Sequence, residues 1–81
     1  KVLDIGAGAG EYSLQLADMG CDVTAVELAE ANIAAFRRKI RPEQKIDLRL
    51  IGTTGAGLSQ LKMASAKINV NRYDILFIAF L

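Results

Sequence analysis

The first seventeen residues constrain this chain more than any other stretch. A short apolar run, Val2–Ile5, ends in Gly6, Gly8 and Gly10 at alternate positions, and a segment of helical period, Glu11-Tyr-Ser-Leu-Gln-Leu-Ala17, follows at once. Strand, tight turn and helix N-terminus in that order bring backbone N–H groups close to whatever sits at the turn. Glycine suits the turn because side chains would fill the approach and some positions need positive φ. A second apolar run, Val23-Thr-Ala-Val26, ends in Glu27, where a carboxylate can accept hydrogen bonds from ribose hydroxyls. Together the two features imply a nucleoside-bearing ligand. The bland alternatives are a ligand-free strand-to-helix turn and a solvated strand-end acid.

The glycine spacing separates ligand classes. In the dinucleotide fingerprint G-x-G-x-x-G a helix start faces a pyrophosphate. Gly6 and Gly8 fit its first two places, but the third falls on Glu11, whose carboxylate repels phosphate. The pattern present is Asp4-x-Gly6-x-Gly8-x-Gly10, with Ala7 inside the loop. It resembles the first motif of the class I S-adenosylmethionine-dependent methyltransferases, whose cofactor carries no phosphate. Val23–Leu28 is similar to that family's second strand with its ribose-binding acid, and Tyr73-Asp74-Ile-Leu-Phe-Ile78 to its fourth strand. The match weakens after the third strand. The family commonly has an acidic pair there toward the adenine amino group, whereas Ile51 is followed by Gly52-Thr53-Thr54.

The resemblance implies a Rossmann-like α/β fold, a three-layer αβα sandwich on a parallel sheet of strand order 3-2-1-4. It implies S-adenosyl-L-methionine as cofactor, held by Asp4, Gly6, Ala7, Gly8, Gly10, Glu27, Leu28 and Thr53. Asp4 is read either as a partner of the ligand's amino group or as an acceptor that orders the loop. Leu28 packs on an adenine face or belongs to a helix start. Thr53 approaches adenine or is an ordinary loop threonine. The implied reaction is in-line attack of an acceptor on the sulfonium methyl, with no residue here assigned as catalytic. The alternatives are an NAD(P)- or FAD-dependent Rossmann oxidoreductase and a non-catalytic truncated fragment.

At 81 residues the chain has room for one domain. It starts and ends within apparent strands, so residues 1–81 are expected to be a partial cofactor-binding domain cut at both ends. Strands are expected at Val2–Ile5, Asp22–Val26, Ile46–Ile51 and Asp74–Phe80, each buried on both faces. Helices are expected at Glu11–Met19, capped by Gly20, and Ala29–Ile40, stopped by Pro42. A third is expected around Leu58–Lys67, after a mobile Gly-Thr-Thr-Gly-Ala-Gly loop. Tyr12, Leu16 and Met19 form the expected sheet-facing stripe of the first helix, with Tyr12 as core or pocket wall. Ala29, Ile33, Phe36 and Ile40 form that of the second.

The remaining features favour bland readings. The single Cys21 forms no internal disulfide and suits a reducing, cytoplasmic setting. No apolar run approaches the ~20 residues of a membrane span, and no signal-peptide pattern is present. A net charge of +1 gives no argument for nucleic acid. The cations Arg37, Arg38, Lys39 and Arg41 complement a helix C-terminus. Asp18 and Asp22 lie at the far end from the glycine loop, and no metal-ligand set is expected.

Overall fold

The computed structural model of this chain describes residues 1–51 and 70–78. The elements are β1 (Val2–Ile5), α1 (Glu11–Asp18), β2 (Val23–Glu27), α2 (Glu30–Lys39), β3 (Ile46–Leu50), a 3-10 turn (Val70–Arg72) and β4 (Ile75–Ile78). Among the described residues every strand pair is parallel and the sheet order is β3-β2-β1-β4. Register runs Val2↔Val23 to Ile5↔Val26 between β1 and β2, and Val23↔Ile46 to Glu27↔Leu50 between β2 and β3. This is an open α/β sheet of Rossmann-like type. The expected third helix at Leu58–Lys67, the loop before it and the residues after Ile78 lie outside the described residues.

Strand alternation divides the core in two. Val2, Val23 and Ala25 face the two helices and meet Ala17 and Phe36, with Leu14, Leu16, Ile40, Ile46 and Leu48 packed around them. Leu3, Ile5 and Val26 face the other way, against Ile51 and Tyr73. The Tyr73 hydroxyl reaches the Thr24 hydroxyl at 3.1 Å on that face. The inner strands β1 and β2 are buried on both faces, as their apolar runs predict. β3 departs from the expectation. Asp47 and Arg49 are exposed and pair with each other at 2.7 Å, while Ile46 and Leu48 are half-buried. Alternating charge on an edge strand is a common guard against unwanted pairing.

The expected stripe of α1 is corrected. Tyr12 and Met19 are 66% and 78% exposed, and the buried positions are Ser13 and Ala17. Small residues at i and i+4 let the helix axis approach the sheet closely, leaving the bulky neighbours at the flanks. On α2 the expected face holds at Ile33 and Phe36, with Ile40 half-buried, whereas Ala29 is exposed.

Both ends of α1 are glycines in the left-handed region. At the far end Gly20, with φ +91°, donates to the Ala17 carbonyl, and the Cys21 N–H reaches the Leu16 carbonyl, both at 3.0 Å. This is the Schellman arrangement that satisfies the last carbonyls of a helix. Nearby, Gln44 is buried and donates from Nε2 to Asp18 Oδ1 at 2.8 Å, while its Oε1 accepts the Arg41 N–H at 2.8 Å. Arg41 also pairs with Asp18 and, at 2.7 Å, with Glu43. That cluster ties the turn after α2 to the end of α1.

Candidate functional site

The glycine loop leaves β1 at the carboxyl edge of the sheet and folds back on itself through its own backbone. The Val26 carbonyl accepts both the Gly6 and Ala7 N–H groups, at 2.8 and 3.1 Å, and the Ala7 carbonyl accepts the Gly10 N–H at 3.1 Å. Gly6, Gly8 and Gly10 have φ of 76°, 60° and 90°. These values favour glycine on conformational grounds. Space distinguishes two of them. A Cβ on Gly10 would stand 2.6–2.8 Å from the Phe36 ring, whereas a Cβ on Gly8 would meet nothing within 4 Å. Gly10 therefore lets α1 and α2 pack together, and Gly8 leaves open space above the loop.

Beneath the loop lies Glu27, only 4% exposed. Its Oε1 accepts the Gly8 N–H at 3.0 Å. Its Oε2 accepts the Ala29 N–H at 2.8 Å and the Asn32 side-chain amide at 3.2 Å. One carboxylate thus joins the end of β2, the glycine loop and the first turn of α2. No side chain of α2's own caps that helix start, so Glu27 supplies the acceptor.

Asp4 sits on β1, 2% exposed, between Ala25 and Phe77 in register. Its Oδ2 accepts the Ser13 hydroxyl at 2.7 Å. Burial pushes its carboxyl above the usual 3.8, the Ser13 hydrogen bond pulls it down, and the Glu27 charge adds to the rise. The Ser13 bond fixes α1 against β1 and so sets the angle at which the loop leaves the strand.

A cleft of about 300 Å³ opens over this edge, walled by Gly6, Ala7, Gly8, Ala9, Glu11, Tyr12 and Asn32. That volume is at the lower end of small-molecule sites, about 300–1,000 Å³. The structure brings Gly6, Ala7 and Gly8 to the cleft, with Glu27 directly behind Gly8. Gly10 is buried against Phe36, Asp4 lies behind Ser13, and half-buried Leu28 stands outside the wall. Thr53 lies outside the described residues. Tyr12 is cleft wall rather than core. Sequence reasoning missed Ser13 and Asn32. A small hydroxyl residue in the first turn after a buried strand acid is a recoverable signal for Ser13, whereas Asn32 follows Glu27 by five residues with no pattern to mark it.

The family model described as "Methyltransferase domain" matches residues 2–80. The chain belongs to the methyltransferase domain family. A protein of Bacillus subtilis (strain 168) named "Putative methyltransferase YqeM" is 35% identical over 46 residues, which cover 57% of this chain and 19% of that protein. The chain therefore spans only a minor part of that relative. No solved structure matches significantly. Among the described residues no helix is long and apolar enough to cross a membrane.

Proposed function

We propose that this chain is the cofactor-binding portion of an S-adenosylmethionine-dependent methyltransferase. The observation that carries the reading is the junction at Glu27, where the acid ending β2 grips the N–H of Gly8 at the floor of the cleft. The residues present fit such a cofactor. Gly8 leaves vacant the volume that a Cβ would fill, and Glu27 sets a buried acceptor beside it for sugar hydroxyls. Glu11 in the wall disfavours a pyrophosphate and tolerates a cationic sulfonium, which argues against a dinucleotide oxidoreductase.

S-Adenosylmethionine, when bound, supplies an already activated electrophilic methyl group. The protein's share is alignment and exclusion of water, worth several kcal/mol in reactions of this type. Gly6 and Gly8 form a floor without side chains. Glu27 fixes the loop and accepts from the sugar. Asp4, through Ser13, sets the angle between β1 and α1. No residue described here moves a proton in the transfer, and the acceptor is not defined by this part of the molecule.

Calorimetric titration with S-adenosylhomocysteine, with NADH as control, tests the reading. Binding of the first ligand alone is expected, weakened at least about tenfold by Glu27→Ala, through loss of the sugar hydroxyls' hydrogen bonds to a charged group. Preference for NADH would replace the proposal with the oxidoreductase.

A further inference from the structure

The donors on Glu27 are unequal. A carboxylate offers about four lone-pair positions. Among the described residues three are taken, by Gly8 N–H, Ala29 N–H and the Asn32 amide. About one is left, whereas two vicinal sugar hydroxyls donating to one carboxylate need two. Something must give way. Gly8 N–H belongs to a loop whose neighbouring N–H groups are held by Val26, and Ala29 N–H stands at the fixed start of α2. Neither can leave without moving an element. The Asn32 amide hangs on a side chain with rotatable χ1 and χ2, makes the longest of the three bonds at 3.2 Å, and already lines the cleft.

The geometry points to Asn32 as a sugar-contacting residue that exchanges partners on binding. Without ligand its amide holds Glu27 Oε2. With the nucleoside in place it releases that oxygen to a hydroxyl and turns its own NH₂ and carbonyl to the same sugar. The amide carries both a donor and an acceptor, so it can serve a hydroxyl in either direction. Its role is then selectivity for an intact ribose, beyond the contact of Glu27 itself. This rests on the S-adenosylmethionine reading above.

The test is calorimetry on the purified protein with S-adenosylhomocysteine and its 2′,3′-dideoxy analogue, alongside thermal denaturation without ligand. Asn32→Ala is expected to weaken S-adenosylhomocysteine about tenfold, the size of one hydrogen bond lost from a polar site. The dideoxy analogue should bind the variant almost as it binds the parent, so the preference for the intact sugar falls by about the same factor. Asn32→Leu keeps the size and loses both the donor and the acceptor. It is expected to give the same loss of preference for the intact sugar if the alanine variant folds poorly. Equal weakening of both ligands, or unchanged binding of both, would overturn the role of Asn32 while leaving the methyltransferase reading intact. A parent protein that binds neither ligand would overturn both.

Discussion

At the site end of the helix pair, Glu27 is 4% exposed and its described donors are two backbone N–H groups and an amide. At the opposite end, Asp18 has half of its side chain exposed and takes Arg41 together with Gln44. Both acids tie two elements together, but by different physics. Exposed ion pairs contribute little, because water and salt screen them and two long side chains must be ordered. A buried carboxylate on neutral donors depends on every hydrogen bond, since each loss strands a group away from water. The contrast also bears on binding. Neutral donors such as the Asn32 amide can be exchanged for ligand hydroxyls without leaving a naked buried cation. The site end is costly to damage and chemically replaceable, and the far end is neither.

The glycines at the two ends of α1 give the sharpest way to break this comparison. Gly10 and Gly20 have φ of 90° and 91°, so alanine is strained equally at both. Only at Gly10 does the new carbon meet the Phe36 ring. Gly10→Ala should cost about 2–4 kcal/mol, strain plus overpacking, and Gly20→Ala about 1 kcal/mol. Urea denaturation of the two variants checks this, and equal losses would show that the site end is no more tightly packed than the far end.

The Asp4–Ser13 pair comes next. Ser13→Ala leaves a buried carboxylate without its donor and should cost about 1–3 kcal/mol at neutral pH. The pH dependence has a defined sign. The folded carboxyl lies above its usual 3.8, so the folded protein holds that proton more tightly than the unfolded chain. Asp4's contribution to stability is therefore most favourable below 3.8. It declines as pH rises from 3.8 through the raised value, and is constant above that. Asp4→Asn should remove this decline while keeping an oxygen for Ser13. Stability measured across the acid range reads the difference, and an unchanged slope would mean that Asp4 does not carry it.

The smallest effect belongs to the far end. Arg41→Ala is expected to shift the denaturation midpoint slightly in dilute buffer and not at all in about 1 M salt. A large, salt-resistant loss would show that the Asp18 cluster works like the buried site.

Much of the framework is legible before any coordinates. The apolar runs of β1 and β2, the glycines between β1 and α1, and Gly20 as a cap are all strong local signals. These features depend on backbone conformation, which neighbouring residue types dictate. What escapes is which face of a helix packs inward. α1 looks amphipathic through Tyr12, Leu16 and Met19, yet close approach to the sheet selects Ser13 and Ala17, because distance rather than hydropathy decides there. β3 differs, because its alternation of Ile46, Leu48 and Leu50 with Asp47 and Arg49 is itself a visible sign of a strand with one face in water, and the order 3-2-1-4 already puts it at the edge. The site divides likewise. Glu27 is visible from its place after a strand, but Asn32 acquires its role only when α2 folds back across the loop. Gly10 is visible as a glycine, but its contact with Phe36 is a matter of tertiary packing.

The shared Val26 carbonyl has a kinetic consequence. With Gly6 and Ala7 N–H both bound to it, the loop is already folded before any ligand arrives. Ordering a flexible segment slows association and subtracts from affinity, and this segment has little ordering left to do. Related ligands should thus enter over the loop at similar rates, and the tighter ones should be those that stay longer.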